Sequence, residues 1–253
     1  MHLDPHGPRW QGIGGRAWIN RSPYHQAMTE PTNLFEPELT PDHDPLRSLL
    51  PGRFLVLDGP DGCGKSTQFR RLVEYCEALS VTVEQVREPG GTQVGEQVRE
   101  ILLDPHNEMM VVRTEMLLYM ASRAQLIAER IVPAIERNRL VLADRFISST
   151  LAYQGTAGGL SPEEIAKVGD VTTGGTVPDL VVILDVDTDV AATRMSGELD
   201  RMERKGRAFH ERVRAGYLAQ VERDPRGYLL IDAGAPEEVV FDSLLAGLRA
   251  RLA

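Results

Sequence analysis

The residues best suited to chemistry lie in one run. Gly59-Pro60-Asp61-Gly62-Cys63-Gly64-Lys65-Ser66-Thr67 fits G-x-x-x-x-G-K-[ST], a spacing that can hold a polyphosphate. The glycines let successive backbone N–H groups turn onto phosphate oxygens, and a helix starting at the lysine adds partial positive charge. Lys65 then reaches the β and γ oxygens and Ser66 supplies a magnesium ligand, so ATP and magnesium are the expected cofactors. Asp61 is the odd member of the loop. A carboxylate facing the donor phosphates would be repelled, so its side chain is expected to leave the loop on the side of the phosphoryl acceptor. Cys63 is either a thiol acidified by the helix start or a small residue that fits a tight turn.

Other sets can do related work. LVLADRF ends on Asp144-Arg145, where an acid can order metal-bound water and a guanidinium can clamp a second phosphate in bidentate fashion. Tyr119 and Arg123 stand four residues apart, on one helical face, a pairing that can stack on a base and bond its edge. Thr150 and Gln154 repeat that spacing, with Tyr153 between them. GELDRMERKGR, residues 197–207, is rich in charge and short of large apolar residues, as a mobile basic segment that closes over a phosphoryl group would be.

These residues need a scaffold. From Arg53 onward, short apolar runs alternate with helical patterns: FLVLD, VTVEQV, LVLAD, DLVVILDV and GYLLID read as five strands. Helices are expected from the phosphate loop to about Leu79, near Val94–Leu103, and from Thr114 to Asn138 with a bend at Pro133. This alternation predicts an α/β fold, a parallel five-stranded sheet flanked by helices on both faces, with ligands at the carboxyl ends of the strands. Residues 1–51 hold half of the 16 prolines, both tryptophans and no apolar periodicity, and are expected to form a disordered N-terminal extension to a domain spanning 52–253. Within it, the GIGG stretch at Gly12–Gly15 lacks a preceding strand and reads as linker.

Composition narrows the partners. A net charge of −9 gives no basic footprint for nucleic acid or an anionic membrane, so an anionic ligand must be held by local positive charge. No apolar run approaches the roughly 18 residues that would span a bilayer. Two cysteines, Cys63 and Cys76, are too few for a disulfide framework, which fits a reducing, cytoplasmic setting.

A phosphate loop alone leaves a GTPase, a motor, a transporter and a small-molecule kinase open. The further motifs REPGGT (87–92), GEQVR (95–99), LLYMASRAQ (117–125), DRFISSTLAYQG (144–155) and GELDRMERKGRAFHERVRAGY (197–217) together resemble the thymidylate kinase family over nearly all of residues 53–250. The resemblance implies transfer of the ATP γ-phosphoryl group to dTMP, by a chain that is commonly a homodimer packed through helices such as 112–132 and 161–173. It also implies roles. Arg99 and Arg145 would clamp the acceptor phosphate, and Tyr119 would stack on the base. Arg123 would bond a thymine carbonyl, with Thr150 and Gln154 near the rest of the base edge. Tyr153 would crowd the sugar 2′ position, and Asp61 would accept from the 3′-hydroxyl. Family members carry the catalytic arginine either in the phosphate loop after the acid or in the lid. Gly62 holds the loop position here, so Arg201 is the expected lid arginine, helped by Arg204, Lys205 and Arg207. The alternatives left open are a kinase of another deoxynucleotide or nucleoside and a non-catalytic nucleotide-binding scaffold.

Overall fold

The computed structural model describes residues 43–195 and 200–253. The N-terminal segment through residue 42, expected to be a disordered extension, lies outside the described residues.

Five parallel strands form one sheet in the order β2-β3-β1-β4-β5: β1 (Phe54–Asp58), β2 (Val83–Arg87), β3 (Leu140–Asp144), β4 (Leu180–Asp185) and β5 (Tyr228–Asp232). The central strand is buried along its whole length, as a parallel sheet covered on both faces requires. Leu55 and Leu57 point into one core with Leu72, Cys76, Leu244 and Leu248, whereas Phe54 and Val56 point into the other with Phe146, Tyr153, Val213 and Tyr217. Pairing places Leu57 and Arg87 on either side of Asp144, so the loops that follow β1, β2 and β3 leave one edge of the sheet together.

The first core is covered by α1 (Leu46–Leu49), α2 (Lys65–Ala78) and, at the chain's end, α10 (Glu237–Leu252). Helix α1 corrects the expected boundary of the extension, because residues 43–51 belong to the folded domain. Leu46 and Leu50 are fully buried, and the Asp44 carboxylate accepts from the Leu46 amide at 2.9 Å and from Arg249 Nη2 at 2.7 Å. Four residues are too short a run to leave a periodic signal between Pro45 and Pro51.

In chain order the remaining helices are α3 (Gln93–Leu103), α4 (Val112–Leu126), α5 (Val132–Glu136), α6 (Ile147–Thr150), α7 (Pro162–Thr173), α8 (Thr188–Arg194) and α9 (Arg207–Arg223). Of these, α4, α5, α6 and α9 cover the second core, α3 and α7 pack on α4, and α8 packs beside the phosphate loop through Ala191. The long helix expected over 114–138 is not simply bent at Pro133. A π-helical stretch at Ile127–Ile131 joins α4 to α5 and takes up the hydrogen-bond register ahead of the proline, which sits in the first turn of α5. A second π stretch, Leu151–Ala157, extends α6 and carries Tyr153 and Gln154.

Candidate active site

The phosphate loop turns from β1 into α2 with Gly59 at φ 142°, Gly62 at 76° and Gly64 at 91°, backbone that side-chain-bearing residues seldom adopt. At Gly62 a Cβ would stand 2.4 Å from the Ala191 carbonyl oxygen of α8, so the loop has no room for an arginine here. Lys65 is buried beneath the loop, its Nζ donating to the carbonyls of Gly59 and Pro60, both at 2.9 Å. Cys63 is the small buried residue of the two readings, since burial pushes its thiol up despite the pull of Lys65. The loop's remaining members border two further spaces. Ser66 and Asp144 line one cleft, and Cys63, Gly64 and Thr67 line another with Gln68, Arg194, Ala233 and Ala235.

Asp61 does leave the loop. Its carboxylate takes a close ion pair from Arg145 Nη2 and a 2.7 Å hydrogen bond from the Tyr153 hydroxyl. Burial would raise its pKa, but Arg145 and then Lys65 outweigh that and hold it below the usual carboxylate range. Arg145 adopts φ 72°, a left-handed conformation that is costly for an arginine and is held by its backbone N–H donating to the Leu57 carbonyl at 3.0 Å. The turn throws its guanidinium back over the loop, where Nη1 donates to the Gly59 carbonyl at 3.1 Å and to Ser149 Oγ at 3.0 Å.

Beneath Arg145 lies a residue that the sequence reading missed. Asp58, fully buried at the end of β1, accepts from Ser148 Oγ at 2.6 Å, Ser149 Oγ at 2.8 Å, the Tyr217 hydroxyl at 2.7 Å and Arg145 at 3.3 Å. Such saturation is what a buried carboxylate needs. Position alone could have flagged it, as the last residue of a strand that feeds a phosphate loop.

A cavity of about 190 Å³ opens beside these groups, lined by Asp61, Arg99, Tyr119, Arg145, Thr150, Tyr153 and Gln154 together with Leu103, Asp200, Met202 and Glu203. Seven of the expected acceptor residues therefore share one space. Arg123 does not line it. Fully buried, its Nε donates to both Glu88 carboxylate oxygens at 3.0 and 2.8 Å, and its terminal nitrogens to Thr150 Oγ1 at 3.2 Å. The guanidinium supports the cavity wall from behind. Burial pushes the Glu88 carboxyl up to about 7 against the pull of Arg123.

Arg201 also departs from expectation. It was placed at the moving phosphoryl group, yet Nη1 pairs with Glu115 Oε2 at 2.6 Å and Nε donates to the Leu102 carbonyl at 2.7 Å. The buried carboxylate on α4, invisible to any local motif, holds it away from the phosphate loop. The lid residues Glu203, Arg204, Lys205, Gly206 and Arg207 share a cavity with Pro60 and Asp61, together with His210 of α9. Residues 196–199, which include the start of the lid, lie outside the described residues.

Asp144 bears on metal binding. Its Oδ1 is buried with no hydrogen-bond partner among the described residues, and the residue lines the same cleft as Ser66. A buried carboxylate oxygen left over in this way suits a hard cation, and the hydroxyl is a second oxygen ligand of the kind magnesium accepts alongside phosphate oxygens.

Comparison with known proteins decides the family. The profile of the family described as Thymidylate kinase matches residues 57–244. The chain belongs to the thymidylate kinase family. A thymidylate kinase of Pelotomaculum thermopropionicum is 47% identical over 192 residues, covering 75% of this chain and 89% of that protein. One from Kosmotoga olearia is 45% identical over 195 residues, 76% and 93% of the two chains, and one from Pseudomonas fluorescens is 45% identical over 205 residues, 79% and 98%. Within this thymidylate kinase fold, the phosphate loop contributes Asp61 to one cavity and Ser66 to a separate cleft that it shares with Asp144. No described helix is long and apolar enough to cross a membrane.

Proposed function

We propose that this chain transfers the γ-phosphoryl group of ATP to dTMP, giving dTDP and ADP, in the supply of dTTP. The observation that carries the reading is the shared cavity of Asp61, Arg99, Tyr119, Arg145, Thr150, Tyr153 and Gln154 next to the phosphate loop. In the transfer, the bond from the γ-phosphorus to the β–γ bridging oxygen breaks and a bond to an acceptor-phosphate oxygen forms. No proton need be removed from that oxyanion, so positioning and charge neutralisation carry the rate.

Each residue then has a task. Lys65 reaches the β and γ oxygens, Arg145 and Arg99 hold the acceptor phosphate, and the ring of Tyr119 stacks on the base. Asp61 accepts from the sugar 3′-hydroxyl. Tyr153, fixed by its hydrogen bond to Asp61, sets its ring where a 2′-hydroxyl would stand. Ser66 and Asp144 would hold magnesium, which when bound neutralises charge on the β and γ oxygens. Thr67, Arg194 and the Ala233–Ala235 turn border a space suited to the ATP base. In place of Arg201, lid charge at the moving group is assigned to Arg204 and Arg207, since Lys205 shares the Glu115 carboxylate with Arg201.

A homodimer is the assembly we favour. Val94 and Ile101 on α3 and Leu117 on α4 expose about half of their surface each, on two helices packed side by side, and a second copy would cover them. A cytoplasmic setting agrees with two buried free thiols.

Coupled ADP-release assays with dTMP, dUMP, dCMP, dGMP and thymidine test the reaction. Turnover with dTMP at a kcat/KM at least tenfold above the others is expected. ATP binding without transfer to any of them would overturn the assignment.

A further inference from the structure

Behind the cavity wall lies a carboxylate to which the sequence assigned no role. Glu115, in the first turn of α4, is only 1% exposed and does not line the cavity. One of its oxygens accepts from Gln154 Nε2 at 2.7 Å, and the other from Arg201 Nη1 at 2.6 Å and Lys205 Nζ at 3.4 Å. Three donors from two distant segments converge on it, two of them cationic.

That arrangement fixes an amide. A primary amide has a donor end and an acceptor end, and the network alone decides which way it lies. A carboxylate paired with two cations can only accept, so the end of Gln154 turned to Glu115 must be the NH2 group. The atom that Gln154 can offer to the cavity it lines is then the carbonyl Oε1. A carbonyl there favours a base edge that presents an N–H and repels one that presents a bare ring nitrogen. Thymine and uracil have an N–H at position 3, whereas cytosine has an unprotonated nitrogen.

The lid segment keeps this orientation in force. Asp200 Oδ1 accepts from the amides of Met202 at 2.7 Å and Glu203 at 2.9 Å, which makes 200–203 a tight turn, and the Arg201 amide donates to the Leu103 carbonyl at 3.3 Å. Arg201 is thereby delivered to Glu115 while its neighbours Asp200, Met202 and Glu203 line the cavity.

We propose that Glu115 is a specificity-determining positioning residue, locking the Gln154 amide so that the site selects pyrimidines with a donor at position 3, and that Arg201 serves this cluster. The proposal rests on the acceptor reading above. Glu115→Gln preserves the size of the side chain, yet a neutral amide can donate as well as accept, which frees Gln154 to turn over. The ratio of kcat/KM for dTMP to that for dCMP should narrow at least tenfold, through KM more than kcat. The ratio for dTMP to dUMP, two bases with the same donor, should stay within about twofold. Glu115→Met, which likewise removes the carboxylate that only accepts, should narrow the first ratio in the same direction and spare the second, and it serves as the test should Glu115→Gln not fold. A general loosening of the wall would shift both ratios together, and that result, or an unchanged dTMP-to-dCMP ratio in either variant, would overturn the proposal. Failure of the wild-type chain to prefer dTMP at all would instead overturn the acceptor reading.

Discussion

The two halves of the site are built in different ways. The phosphate loop is nine consecutive residues whose work is done largely by backbone, shaped by glycines at positive φ against α8. The acceptor cavity is made from side chains of several separate segments, stabilised by three buried or half-buried pairings: Asp58 and Asp61 with Arg145, Glu88 with Arg123, and Glu115 with Arg201. Backbone amides stay polar whatever the side chains do. Buried charges must be matched, and removing one partner leaves the other stranded in a medium that solvates it poorly. The donor half should therefore tolerate substitution structurally while losing activity, and the acceptor half should lose both.

Arg145→Met puts the largest strain on that contrast. It leaves the fully buried Asp58 and the adjacent Asp61 without their cation, for an expected loss of about 3–5 kcal/mol in unfolding free energy together with a fall in kcat/KM for dTMP of about 100-fold or more. Chemical denaturation and steady-state kinetics on one preparation measure both. Lys65→Met is the counterpart on the donor side. Its kcat should drop by about 100- to 1000-fold, with unfolding free energy lowered by only about 1–2 kcal/mol for the two carbonyls left without their donor. A large stability loss here would erase the distinction between the halves. The smallest effect expected is that of mild acid on Asp61. Because Arg145 and Lys65 hold its carboxyl below the ordinary range, its ionised form persists as pH falls and is lost only beneath that lowered value. The KM for dTMP should then show no rise assignable to Asp61 between pH 8 and pH 5.

The same contrast explains what could be read from the sequence. The phosphate loop and the strand-end pair Asp144-Arg145 are contiguous, and the five strands announce themselves by composition, so the sheet and the donor half were legible at once. The pairs that build the acceptor half join residues 35, 86 and 87 positions apart, and no local pattern records such partners. Hence Asp58, Glu88 and Glu115 went unread, Arg123 was placed in the cavity rather than behind it, and Arg201 was sent to the phosphoryl group. The π stretches were hidden for a related reason, since one extra residue in a helical turn leaves the apolar pattern nearly unchanged. Helix α1 escaped notice because the buried leucines Leu46, within it, and Leu50, just after it, are flanked by prolines and preceded by polar chain.

The central claim is that Asp61, though part of a phosphate loop, serves the acceptor. Steady-state kinetics of Asp61→Asn, with ATP and dTMP each varied at saturation of the other, test it most directly. The account predicts a KM for dTMP raised about tenfold or more, with the KM for ATP within about twofold of wild type. A raised KM for ATP with an unchanged KM for dTMP would contradict it.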